Sequence, residues 1–352
     1  MKQVQNSILN FFKQVFYIGI DTHKKQWTIS IRSLGIELKR LTIEPRVEDL
    51  VNYMKRNYPG GTYKFVYEAG FCGFWIVRKL RELCYEAIVV NPADVPTMQK
   101  ERLTKTDRID SRKLSRELEN GSLRGIYIPT PEQQSLKSYS RLREQTVKQQ
   151  TRLINRIKGF LNLHGVKILY KSILTKKAKI WLKGLEFTNE VNRMYLDTLI
   201  EELESNNKCL NEVNKHIGEI CKKVQDIEYI SSAPGIGNVV AFTLYSELFD
   251  IKRFKNLDNL VSMVGFIPVV SSSDEREKVG GLTHRGNKYL KKMLIQAAWR
   301  AMKKDPALTL VYSKLTKRMT GQRAIIKIVK KLLNRIRHCW LNHQYYSLAV
   351  VE

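Results

Sequence analysis

Acidic residues are scarce in this chain. Thirty-four Asp and Glu stand against 61 Lys and Arg, a formal net charge of +27. An imbalance of this size speaks to solubility and partners rather than to fold. It is the electrostatic footprint of a protein that neutralises many phosphates, with an anionic membrane surface as the competing partner. Long apolar runs are missing too. None approaches the roughly 18–20 residues of a membrane span, so no membrane partner is expected. The opening stretch MKQVQNSILNFFKQVFYIGI has Lys13 and Gln14 inside its apolar part and no small-residue cleavage site, so no signal peptide is expected. Cysteine is sparse: Cys72, Cys84, Cys209, Cys221 and Cys339 are odd in number and form no CxxC pair. That excludes a disulfide or zinc framework and reads as reduced thiols in a cytosolic protein.

Because acids are few, those set at the ends of apolar strand patterns stand out. Asp21 ends FYIGID and Glu68 closes KFVYE. A carboxylate in such a place is costly to bury unless it is paired or bound to a cation. Asp107 and Asp110 stand three apart in TKTDRIDSRK, a spacing that puts both on one face of a helix. Converging carboxylates raise one another's pKa unless a cation lies between them. Cations of the Mg²⁺ type take hard oxygen ligands and keep positions open for phosphate and water. The set therefore suggests a divalent-metal site for phosphoryl transfer, in which two metals about 4 Å apart activate one oxygen and stabilise another. The plainer alternative makes Asp107 and Asp110 helix-start acids favoured by the macrodipole, with Arg108 and Arg112 as ion-pair partners.

The surrounding patterns divide the chain into three. Residues 1–130 read as three strands (FYIGID, WTISIRSL, ELKRLTI), a helix (VEDLVNYMKRNY), a strand (YKFVYEA), a helix (FWIVRKLRELCY), a strand (EAIVVNP) and a helix (DRIDSRKLSRELEN). That order predicts a mixed α/β sheet covered by helices. Residues 131–228 carry no strand signal. Leu142, Leu153, Ile154, Ile157 and Leu161 recur at helical spacing. Leu196, Leu203, Leu210, Ile217 and Val224 then recur every seven residues, with Leu199, Val213 and Ile220 in the second apolar position and Asn206 taking one turn of that series. A polar residue in a heptad seam fixes register and partner number at some cost in stability. This part is expected to be a helical coiled-coil connector, its partner either the preceding helix or a second subunit.

Residues 229–352 read as mainly helical. Pro234-Gly235-Ile236-Gly237 is a tight turn between apolar helical segments. It is either an ordinary helix–helix turn or one whose backbone N–H groups, at Gly235 and Gly237, approach a phosphate. A serine triplet, Ser271 to Ser273, precedes THRGNKYLKK, which enters a helix through Leu290, Leu294, Ala297 and Ala298. Arg285, Lys288, Lys291 and Lys292 are either phosphate contacts or a solubilising face.

The segments YIGIDTHKK, YEAG, VVNPADV, KTDRIDSRKL, PGIG, VGFIP and SSSDEREKVGGLTHRGNKYLKK fall in this order between Tyr17 and Arg300. Together they resemble the DEDD-type insertion-sequence transposases related to the Piv invertases, the insertion-sequence 110 family. KTDRIDS with the upstream GIDTHK is the specific part; PGIG alone is weak. The resemblance implies a RuvC-like N-terminal domain of the ribonuclease-H fold group, with Asp21, Glu68, Asp107 and Asp110 as a tetrad that holds Mg²⁺. It implies a C-terminal transposase domain whose serine attacks the DNA backbone and forms a covalent 5′-phosphoserine intermediate. The matching position is Ser273, with Ser272 beside it; Asp274 stands where the family has glycine. Further implications are DNA element ends and target as partners, a structured bridge RNA as guide, and a dimer or tetramer built through the coiled coil. The setting implied is the cytoplasm of a bacterium or archaeon, nucleoid-associated when active. Two other readings stay open on the residues. One is a RuvC-like nuclease that uses metal-activated water and leaves no protein–DNA adduct. The other is an inert nucleic-acid-binding remnant, for which Asp274 speaks, since its charge near a scissile phosphate weakens attack.

Overall fold

Period-two apolar patterns at the start of the chain build a sheet, and its connections decide where the acids sit. The computed structural model describes residues 10–97, 107–273, 276–283 and 285–348. The chain divides into two compact units, Met1–Pro129 and Thr130–Glu352. In the first, β1 (Val15–Thr22), β2 (Trp27–Ser33) and β3 (Ile36–Ile43) form an antiparallel meander. Helix α1 (Val47–Asn57) carries the chain to β4 (Thr62–Glu68), and α2 (Trp75–Glu82) carries it to β5 (Glu86–Val90). Both are crossovers of the kind that parallel pairing requires, and the sheet order is β3-β2-β1-β4-β5 with β1, β4 and β5 parallel. This mixed sheet fits the ribonuclease-H arrangement.

The two faces of the sheet are read directly from the alternation. Phe16, Ile18 and Ile20 of β1 share one core with Ile29 and Ile31, Phe65 and Tyr67, and Ala87 and Val89. Leu50 and Met54 of α1 and Ile76, Val77 and Leu80 of α2 cover them. The opposite face carries Gly19 and Asp21, Val66 and Glu68, and Val90. Helix α3 (Asp107–Glu119) lies on it. Leu114 closes a small core with Val66, Val90 and Val95, and Ser115 Oγ lies 2.9 Å from Ser30 Oγ on β2.

The second unit opens with α4 (Pro131–Leu163), whose start is a capping box of Thr130 and Gln133. Helices α5 (Lys176–Lys183) and α6 (Glu190–Lys223) follow. The pairs Arg143–Asn214, Gln150–Asn207 and Arg156–Glu202 run in opposite order along α4 and α6, so the two are antiparallel. The seven-residue seam is filled within the chain. Leu196, Leu199 and Leu203 pack with Leu153, Ile157 and Leu161, while Val213 and Ile217 join a larger core with the helices that follow. Asn206 Nδ2 donates to the Thr146 carbonyl at 3.2 Å, a polar lock on register. Leu142 departs from the expected stripe and is exposed. In its part of α4 the inward positions are Ser140 and Thr146, and Ser140 donates to Thr243 at 3.2 Å.

Helices α7 (Gln225–Ser231), α8 (Asn238–Leu248) and α9 (Leu257–Val264) lead to a hairpin of β6 (Pro268–Ser273) and β7 (Arg276–Leu282). Then come α10 (Lys288–Met302), α11 (Pro306–Thr316) and α12 (Gly321–Leu341). Phe242, Leu260, Leu294, Ala298, Ile328 and Leu332 sit in their common core. The hairpin is the one element here that the helical reading of this region did not contain. All five cysteines are unpaired. Among the described residues no helix is long and apolar enough to cross a membrane.

Candidate active site

The β1–β4 register, Ile20 opposite Tyr67, puts Asp21 and Glu68 at the next positions of adjacent parallel strands, at their C-terminal ends. Both alternate onto the face that α3 covers. The helix reaches the strand because residue 19 is glycine. A Cβ there would lie 2.2 Å from the Ser111 carbonyl oxygen and 2.5 Å from the Ser115 nitrogen. Asp110 is one turn before Leu114, on the flank of α3 that meets the sheet. Strand ends and helix start therefore bring acids from three separate stretches to one end of the sheet.

One ammonium ties two of them together. Lys113 Nζ lies 3.1 Å from Asp110 Oδ1 and 3.4 Å from Glu68 Oε1, and Lys113 is only 6% exposed. Glu68 Oε1 is itself buried with no hydrogen-bond donor. The Lys113 ammonium compensates its charge as an ion pair, so the oxygen keeps a lone pair that no hydrogen bond uses. Asp21 Oδ2 lies 3.3 Å from His23 Nε2. Asp107 is the first residue of α3, and its side chain lies outside the described residues. Arg112, the partner considered for the helix acids, instead reaches Glu37 at 3.5 Å; the cation that Asp110 meets is Lys113.

Among the described residues, no three His, Cys, Asp or Glu side chains converge as a metal-ligand group. Glu68 and Asp110 are instead gathered around an ammonium. The donor chemistry still fits a hard divalent cation: the acids are carboxylates, and one buried oxygen accepts no hydrogen bond. Lys113 and Gly19 were not singled out in the sequence. The signals available were a lysine three residues beyond Asp110 and a glycine two before the strand-end acid.

In the second unit Ser271, Ser272 and Ser273 lie on β6, opposite Lys278, Glu277 and Arg276 of β7. Their side chains, together with Asp274 and His284, fall outside the described residues. The base of the hairpin is fastened by two glycines. Gly265 ends α9 at φ +91°, Gly286 has φ +113°, and a Cβ on Gly286 would lie 2.5 Å from the Gly265 Cα. Next in the chain, Asn287 caps α10 and donates through Nδ2 to Glu247 Oε2 at 2.8 Å. Glu247 is fully buried and also accepts from Arg141 Nε at 2.8 Å. Among the four proposed phosphate cations, Lys291 turns inward and donates to the Thr283 carbonyl at 2.8 Å. Arg285, Lys288 and Lys292 are exposed.

The Pro234–Gly237 turn serves packing first. Gly235 has φ +79°, and a Cβ there would lie 2.5 Å from the Ala297 carbonyl oxygen of α10. Gly237, the residue before α8, has open space around it. Both glycines line a cleft of about 680 Å³ with Arg300, Lys303, Lys304 and Tyr346.

Comparison with known proteins bears on both units. Residues 18–165 match the DEDD transposase family of the IS110 type, and residues 227–313 match the transposase family IS116/IS110/IS902. The chain is 28% identical to the transposase for insertion sequence element IS1111A of Coxiella burnetii, over 55% of this chain and 54% of that protein. It is 25% identical to the transposase for insertion sequence element IS1533 of Leptospira borgpetersenii, over 69% of this chain and 72% of that protein.

Proposed function

Because the chain carries the paired transposase domains of the IS110/IS116 insertion-sequence family, we propose that it cuts and rejoins DNA through a serine ester. Asp21, Glu68, Asp107 and Asp110 are the residues that would hold Mg²⁺, which when bound supplies Lewis-acid stabilisation of charge on the phosphate. The observation that carries the reading is the gathering of Glu68 and Asp110, from a strand end and a helix start, on one buried ammonium.

The nucleophile is Ser273, with Ser272 as its neighbour, on a strand whose base two glycines fasten. A serine hydroxyl is weak at its free pKa and must lose its proton to attack. The Ser O–P bond forms as the bond to the 3′-oxygen breaks, and that oxygen leaves with a proton as a 3′-hydroxyl. The phosphoserine ester keeps the bond energy, so an incoming 3′-hydroxyl reverses the step on a new strand. Residues 131–228 form the connector and residues 229–352 the serine-bearing part. Arg285, Lys288 and Lys292, with Gly235, Gly237 and the Arg300, Lys303 and Lys304 side of the cleft, hold the phosphate backbone; Lys291 braces the turn that presents them. A structured guide RNA and a dimer or tetramer complete the assembly, and its setting is the cytoplasm.

The test is adduct trapping on a nicked suicide substrate. The unaltered protein forms a protease-sensitive DNA adduct, Ser273→Ala removes it, and Asp21→Asn slows its formation at least about 100-fold, the usual weight of one positioned charge in the transition state. Cleavage with no adduct would favour the water-using nuclease. Full-rate excision by Asp21→Asn refutes the metal reading.

A further inference from the structure

A second cleft of about 940 Å³ lies in the C-terminal unit, with Phe266, Leu282, Ile295 and Trp299 among its apolar walls. Its size falls in the range of small-ligand clefts. Arg318, Arg323, Lys327 and Lys330 are also part of the lining, and among the described residues no acid is. Among the described residues none of these four cations forms an ion pair. Desolvation, then repulsion from Lys327, holds the Lys330 ammonium below the usual lysine range, against the pull of Asp258. Four cations around an apolar cavity call for an anionic ligand with an apolar face.

Trp299 gives that face a shape. Its ring sits 5.5 Å from the Tyr312 ring at 68°, an edge contact that fixes the indole, yet the residue stays 42% exposed. The cleft is also continuous with the serine hairpin: Pro268 and Leu282, paired across β6 and β7, both line it. Duplex DNA presents phosphates but hides its base faces, and gains little from an apolar wall. An unpaired nucleotide presents both, and base–aromatic stacking is indifferent to sequence.

We propose that this cleft holds an unpaired nucleotide of single-stranded DNA, its base stacked on Trp299 and its phosphates on Arg318, Arg323, Lys327 and Lys330. The inference rests on the reading of the chain as a DNA-acting transposase and adds that the strand at the serine hairpin is taken unpaired. DNA rather than RNA is the occupant because the cleft wall is the hairpin that carries the proposed DNA nucleophile.

The experiment is binding of the full-length protein to fluorescent oligothymidylate, to the same oligomer with abasic sites, to oligouridylate and to duplex DNA. The unaltered protein should prefer oligothymidylate to its abasic form. Trp299→Ala should lose about 5- to 100-fold for oligothymidylate, the range of one base–aromatic stack. It should leave abasic and duplex binding unchanged, and Trp299→Phe should retain most of the affinity. Arg323→Gln with Lys327→Gln should weaken both single-stranded forms and flatten their salt dependence. Equal binding of abasic and intact oligomers overturns the inference, as does tighter binding of oligouridylate. So does self-association of the protein that Trp299→Ala abolishes without touching oligonucleotide affinity. The readout is binding alone, so a protein that cleaves no DNA refutes the proposed function without deciding this result.

Discussion

Gly19→Ala is the sharpest test of the acid site, because the substitution touches no acid. A Cβ at residue 19 would sit 2.2 Å from the Ser111 carbonyl oxygen and 2.5 Å from the Ser115 nitrogen. Ordinary carbon contacts are about 3.5 Å, so α3 must lift from β1 by about 1 Å. The same lift carries Lys113, now 3.1 Å and 3.4 Å from its carboxylates, toward the edge of ion-pair distance from Glu68. Overpacking of this kind costs about 1–3 kcal/mol, and a 1 Å misplacement of reacting groups costs about 100-fold in rate. The expected outcome is a folded protein with a lowered melting temperature and adduct formation down by about that factor. Gly159→Ala is the control, since a Cβ there meets nothing within 4 Å and a helix-interior glycine replaced by alanine gains about 0.5–1 kcal/mol. Unaltered melting temperature and adduct yield in Gly19→Ala would refute the packing of α3 on β1 from which the site is built.

Lys113→Met should destabilise the metal-free protein by a few kcal/mol, as broken buried pairs do, and Mg²⁺ should raise its melting temperature more than that of the unaltered protein; equal shifts would mean the ammonium does not share the acid site. Asp305, buried at the start of α11, has its carboxyl held below the usual range: burial opposes this, but the Tyr346 hydroxyl, the Leu308 N–H and the Arg335 guanidinium outweigh it. A depressed folded pKa gives stability that is present above the unfolded value near 3.8 and lost as pH falls through the folded one. Urea unfolding should therefore show the gap between the unaltered protein and Asp305→Asn closing on acidification, and a gap independent of pH would be the wrong sign. Replacing Arg300, Lys303 and Lys304 by Gln should lower the slope of log affinity against log salt for duplex DNA by about 0.9 for each phosphate left without its cation; an unchanged slope would remove the 680 Å³ cleft from the DNA path.

What the sequence determined by itself was local. Short apolar runs such as FYIGID and KFVYE become strands covered on both faces, and an acid at the end of such a run is visible without coordinates. The 107–119 helix and the seven-residue seam were legible too, since each repeats within one segment. Tertiary structure decided whatever joins distant segments. Glu68 and Lys113 meet only because α3 lies across the sheet, and no spacing in the chain announces it. Gly19 matters through the backbone of a helix that starts at residue 107, far along the chain. The seam could have served a second subunit, but the antiparallel arrangement buries its first part against α4, and Val213 and Ile217 join the core of the helices that follow. The serine triplet had no strand signature, because strand pairing depends on a partner across a turn, and β7 supplies that partner. Side-chain period is a property of one segment, whereas a site is a property of how segments pack.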